Sequence, residues 1–83
     1  MIYLDLPRWP ARGRMWSHLI SDASFAELHT FAELLGAPRR GFDGDHYDLP
    51  SDRFAEAVWL GATVVSPREI VARLHAAGLR RPR

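Results

Sequence analysis

Cysteine is missing from this 83-residue sequence. Its absence removes a disulfide framework, a thiolate metal site and a cysteine nucleophile, and it fits a reducing cytoplasm. Lysine is missing too, so all eleven basic residues are arginines. No apolar run approaches the roughly 18 residues of a membrane span, and the opening MIYLDLPRWP carries no basic stretch ahead of a long apolar one. Neither a span nor a secretory signal is therefore expected, and the reading is a cytoplasmic protein. Neither glycine loop that cradles phosphate, G-x-G-x-x-G or G-x-x-x-x-G-K, occurs. No G-x-S-x-G elbow presents a serine nucleophile. The net charge is only +1, whereas non-specific nucleic-acid binders are usually clearly basic.

What is present suits one domain, residues 1–83. A chain this short buries about 60% of its unfolded surface, so its core is thin. Ile2, Leu4 and Leu6 alternate with Tyr3 and Asp5, the period of a strand, and Pro7 ends it. Pro7 to Arg14 holds two prolines and a glycine and reads as a loop. Met15 to Ile20 reads as a second short strand with Trp16, His18 and Ile20 on one face. Ser24 to Leu35 is a helix opened by the capping box Ser24/Glu27 and striped by Phe25, Leu28, Ala32 and Leu35. Ser51 to Leu60 reads as a helix capped by Ser51, and Ala62 to Val65 as a buried strand. Ser66 and Glu69 form a second capping box, with Pro67 at the first helical position and Gly78 at the end. Residues 80–83 are a basic tail expected to fray. Strands alternating with helices predict an α/β fold: a small single layer of three or four short, mostly parallel strands with three packed helices.

Between the first two helices lies Gly41 to Pro50, GFDGDHYDLP, the window richest in metal-binding and proton-moving groups. It reads as a loop or a ragged strand. A second polar run, Trp16 to Asp22, holds His18, Ser21 and Asp22. In parallel sheets ligands collect beyond the carboxyl ends of strands, which would bring Asp5, Asp22 and the central run together. His18, His46 and Asp45 are the candidate catalytic residues. Asp22, His46 and Asp5 are the candidate metal ligands, since mixed imidazole and carboxylate sets suit zinc, manganese or iron. Asp43-x-Asp45 starts like a calcium loop, but the sixth and twelfth positions hold Asp48 and Phe54 where glycine and glutamate are needed, so that match fails. The bland alternative keeps these aspartates as turn formers. A nucleophile set of Ser17, Ser21 or Ser66 with His18 or His46 is the other chemical option. His29, beside the helix stripe, reads as structural.

Arginines cluster at Arg8, Arg12 and Arg14, where they flank Trp9. Arg8, Trp9, Arg12, Arg14, Trp16 and Tyr47 are therefore the candidate ligand-binding residues, because guanidinium suits phosphate and carboxylate. Two readings stay open. One is a His/Asp pocket that binds an anionic ligand, a nucleotide or phosphorylated compound, with a divalent metal and hydrolytic chemistry. The other is a non-enzymatic module for protein or nucleic acid, in which Trp9, Trp16 and Trp59 form an exposed patch and a homodimer is one outcome.

The stretches MIYLDLPRWPARGRMWSHLISD, FDGDHYDLP and GATVVSPREIVARL resemble a bacterial and phage family known as domain of unknown function 4031. The likeness spans nearly the whole chain. It implies a small cytoplasmic or phage-encoded protein and brings no activity, cofactor or catalytic residue with it.

Overall fold

A computed structural model describes residues 1–80. The alternation read at Met15 to Ile20 extends into an eight-residue strand around which the sheet is built. The first hairpin comprises β1 (Ile2–Leu4), β2 (Trp9–Ala11) and β3 (Arg14–Ser21). Arg12 and Gly13, at φ 51° and 73°, make the two-residue turn between Ala11 and Arg14. Two consecutive positive φ values give the turn whose twist matches flanking antiparallel strands. Pro10 is tolerated because β2 pairs on one side only.

Both β1 and β2 run along the same flank of β3, but not in one register. Leu4 pairs with Leu19 and Trp9 with Trp16. Four residues, Asp5 to Arg8, therefore span the gap that Ser17 and His18 span on β3. The surplus makes a bulge, and it redirects Asp5.

The helix α1 (Phe25–Leu34) starts as expected, with the Ser24 hydroxyl accepting from Glu27 N–H at 3.0 Å. The Glu27 carboxylate does not return to Ser24; it accepts from the Ser21 hydroxyl at 2.7 Å. A single 3₁₀ turn, Arg39–Gly41, then leads into a second hairpin, β4 (Phe42–Asp43) and β5 (His46–Pro50). Gly44, at φ 75°, takes the first position of its two-residue turn. The expected helix from Ser51 is shorter: Ser51–Arg53 is a 3₁₀ turn, and α2 is Phe54–Trp59 without a side-chain cap. β6 (Thr63–Val64) and α3 (Pro67–Ala76) follow, the latter capped by Ser66.

The six strands form one mixed sheet in the order β4-β5-β3-β1-β6, with β2 beside β3. Among the described residues only β1 and β6 are parallel; every other pair is antiparallel. This corrects the expectation of a mostly parallel sheet of three or four strands. The cause lies in Pro7 to Arg14, which reads as a loop and supplies β2 and its turn, and in Gly41 to Pro50, which reads as a loop or a ragged strand and is a whole hairpin. Ala62 to Val65 is corrected as well. Ala62 is buried, but Thr63 and Val64 form an exposed edge strand with a neighbour on one side only.

Helices cover the sheet unequally. On one face α1 and α2 bury Leu28, Phe31, Ala32, Leu35 and Ala57 against Leu4, Leu19, Tyr47 and Leu49. Each fully buried leucine contributes about 1.5–3 kcal/mol. On the other face α3 packs Ile70 and Leu74 onto Tyr3 and Ile20. That helix reaches only the β1 end of its face. Farther along β3 and across β5, the same face carries Trp16, His18, His46 and Asp48.

Candidate functional site

The bulge sets the geometry at His18. Its peptide N–H and carbonyl both point toward the β1 flank. The carbonyl accepts from Asp5 N–H at 3.3 Å. No main-chain carbonyl reaches the N–H, and the Asp5 carboxylate takes that place: Oδ1 accepts from His18 N–H at 2.6 Å. The other oxygen, Oδ2, lies 2.8 Å from His18 Nδ1. Asp5 is only 1% exposed, so one buried carboxylate ties down both the backbone and the ring of His18. Trp9 lies against the outer side of the ring, centroids 5.2 Å apart at 20°, and stacks in turn on Trp16 at 5.9 Å. The Trp16 indole N–H donates to the Ala11 carbonyl at 2.8 Å.

The second hairpin supplies the other half. Asp48 sits directly across from His18 in the β3–β5 ladder. His46 lies two residues before it and therefore on the same face. The turn at Gly44 folds Asp45 back, so that its Oδ1 is 2.7 Å from His46 Nδ1. Asp45 also accepts from Arg80, at 2.7 Å from Nε and 3.2 Å from the terminal nitrogen. His46 Nε2 is 3.1 Å from Asp48 Oδ1. The two imidazoles meet edge to face, 5.2 Å between centroids.

The result is two imidazoles, each with a carboxylate at Nδ1. An ionised carboxylate only accepts, so Asp5 holds a proton on Nδ1 of His18 and leaves its Nε2 as the donor atom, while His46 has one carboxylate at each nitrogen, Asp45 at Nδ1 and Asp48 at Nε2. One donor atom from each of His18, His46 and Asp48 lies within 4.8 Å of the other two. Two ligands about 2.0–2.1 Å from a tetrahedral ion stand about 3.3 Å apart. The His46–Asp48 separation of 3.1 Å is close to this, and the His18 atom lies within 4.8 Å of both.

Electrostatics follow the same contacts. The hydrogen bond to Asp5 holds the His18 pKa above its ordinary value, against the opposing effect of partial burial. Burial alone would raise Asp45, but the bonds from Arg80 and His46 outweigh it and keep the carboxyl below its ordinary range.

Other expected site residues lie elsewhere. Asp22, expected as a metal ligand, is at the opposite end of β3, where its carboxylate takes the N-terminal ammonium at 2.8 Å. That contact holds its pKa down. Asp5, also expected as a ligand, stands behind His18. Tyr47, expected to bind ligand, points into the core on the far face, with its hydroxyl 2.7 Å from His29 Nδ1. Arg8 is exposed; Arg12 lies over the Trp16 ring at 5.4 Å. No serine joins the histidines: Ser17 is buried on the other face, Ser21 bonds Glu27 and Ser66 caps α3. The three tryptophans do not form one patch, since Trp9 and Trp16 stack beside His18 while Trp59 projects from α2, 83% exposed.

Two contributors were not among the expected site residues. Asp48 lies in the polar Gly41 to Pro50 window but outside the expected ligand set; the H-x-D spacing flags it once the segment is seen as a strand. Arg80 was assigned to the fraying tail, and nothing in its neighbours signals a role. The rest of that expected tail, 81–83, lies outside the described residues.

A family model described as protein of unknown function (DUF4031) matches residues 2–77. The chain belongs to this family. The DUF4031 match runs from β1 to the end of α3, so it includes Asp5, His18, Asp45, His46 and Asp48 and stops short of Arg80. No curated protein and no solved structure matches the chain. Among the described residues no helix is long and apolar enough to cross a membrane.

Proposed function

We propose that this DUF4031 chain is a metal-dependent hydrolase. Its divalent ion is held by His18, His46 and Asp48, and its substrate is anionic, a nucleotide or another phosphorylated compound. The observation that carries the reading is the doubled arrangement: two imidazoles, each backed at Nδ1 by its own carboxylate, converge with a third carboxylate on one point of an open sheet face. Carboxylate-backed imidazoles are how metal-bound histidines are usually oriented. A single structural histidine needs no such partner on both sides.

Three protein ligands of this type suit zinc, iron or manganese and leave positions for water. A bound ion supplies a water of lowered pKa. The chain's residues do the rest. Asp5 fixes the ring tautomer of His18, and Asp45 orients the ring of His46. The Trp9 ring covers one side of His18, with Trp16 stacked on Trp9, and limits water there. Arg12 and Arg14 place positive charge at the end of the strands where substrate oxygens would gather. The cysteine-free composition supports a reducing cytoplasm as its location.

Thermal melting with EDTA and then with zinc, manganese, ferrous iron or magnesium tests the site. A metal that binds only the folded chain at 100 times its dissociation constant adds about 2.7 kcal/mol. The expected result is a rise in melting temperature with a transition metal, abolished in His46→Ala and reduced in Asp48→Asn. Turnover of bis(p-nitrophenyl) phosphate or p-nitrophenyl phosphate by the loaded protein tests the chemistry. Melting curves that no metal moves would remove the reading.

A further inference from the structure

A groove with a volume of about 630 Å³ begins at Asp48 and Trp16, beside the cluster, and passes Arg12, Arg14, Arg40 and Arg53. We infer that it is the path of a short single-stranded nucleic acid whose phosphodiester reaches the ion site, an inference that rests on the hydrolase reading.

The arginines carry the argument. They come from three separate stretches of chain: the first hairpin turn, the 3₁₀ turn before β4 and the 3₁₀ turn before α2. All four line one groove, and the sequence has no glycine loop of the kind that cradles the phosphates of a nucleotide. Among the described residues no carboxylate lies within 4 Å of Arg12, Arg14 or Arg40, whereas Arg53 has Glu56 at 3.7 Å and Arg73 and Arg80 are both paired. Arg8, Arg39 and Arg68 are unpaired too, but they do not line this channel. Arg12 lies over the Trp16 ring, which Trp9 also stacks upon, so the aromatic pair borders the channel and holds the Arg12 guanidinium at its edge. A basic channel with aromatic surface is how single strands are held without sequence preference. Asp43 and Asp52 also line it, which keeps the number of phosphates neutralised small. The modest net charge of +1 then fits a short single strand better than a duplex with its dense backbone charge.

Fluorescence anisotropy with labelled dT8 and rU8, in EDTA so that nothing is cut, reads the binding. The expected result is salt-sensitive binding of both strands. Arg14→Ala and Arg40→Ala, both at exposed positions, should each weaken it about fivefold at about 0.1 M salt and each flatten the log–log salt slope by about 0.7. Three results would overturn the inference: no binding at low salt, affinity unchanged in the double variant, or a labelled duplex binding as tightly as the single strand. Displacement of dT8 by TMP at equal affinity would also overturn it, by making a mononucleotide the ligand. The same two variants are melted with zinc. A zinc shift retained without oligonucleotide binding sinks the groove and leaves the metal site standing. Loss of the zinc shift in wild-type protein sinks the metal site by itself.

Discussion

Asp5→Asn replaces one oxygen in the fully buried carboxylate that holds His18. In the native arrangement both oxygens accept, one from His18 N–H at 2.6 Å and one from Nδ1 at 2.8 Å. Asparagine offers one oxygen and one amide N–H₂, so one of the two contacts becomes donor against donor. The peptide N–H cannot shed its proton and the imidazole can. The amide oxygen therefore goes to the backbone, the proton moves from Nδ1 to Nε2, and the nitrogen facing His46 and Asp48 is blocked. A hydrogen bond to a charged group is worth about 1.5–3 kcal/mol. Taking about 2 kcal/mol, at about 6 °C per kcal/mol for a domain of this size, the melting temperature falls ~12 °C. Loss of a carboxylate behind a metal-bound histidine typically costs about 10–100-fold in affinity. Calorimetric titration with zinc beside urea and thermal melting measures both. Native zinc affinity in Asp5→Asn, with affinity lost in His46→Ala, would refute the idea that Asp5 sets the working face of His18. A fall of under about 2 °C would refute its weight in stability.

Three further outcomes follow from the same contacts. The folded pKa of His18 lies above its ordinary 6.5, so its contribution to stability is full below 6.5 and fades as pH rises through the folded value. Asp45 lies below its ordinary 3.8, so its contribution is present above 3.8 and fades as pH falls through the folded value. Urea unfolding of the metal-free protein against pH should show both trends. The zinc-induced rise should run the other way near neutrality, growing with pH as His18 gives up its proton, and a rise that is flat between about pH 5.5 and 8.5 would contradict this. Leu19→Ala, at a site with no exposure, should cost about 3–5 kcal/mol by urea unfolding. Trp59→Ser, at 83% exposure, should leave stability within about 0.5 kcal/mol, and a larger loss would mean the indole is covered in solution.

The sequence makes the helices legible because their ends carry chemistry: Ser24 and Ser66 accept from the third residue on, and Gly36 and Gly78 sit at φ 70° and 72° just past the ends. β3 is legible from its alternation. Sheet polarity is not, since it depends on the two-residue turns Arg12-Gly13 and Gly44-Asp45, and arginine at positive φ leaves no signature of a hairpin. His18, His46 and Asp45 are recognisable as reactive types, but their partners are not. Asp5 meets His18 only because a bulge shifts the pairing of β1 and β2, which no periodicity encodes. Asp22 looked equivalent to the other aspartates by composition and differs only in which end of β3 it occupies.

Each imidazole receives its orientation from within its own hairpin, His18 from Asp5 and His46 from the adjoining Asp45. The contacts that orient each ring therefore do not cross the β3–β5 seam, and the seam itself sets only their alignment. A slip of that seam by one position would turn Asp48 to the helix-covered side, and a slip by two would set it against Trp16 or Ile20. An ion bound across the seam would accordingly act as a proofreader of strand pairing: it would reward one alignment of the two hairpins and leave the mispaired forms unligated.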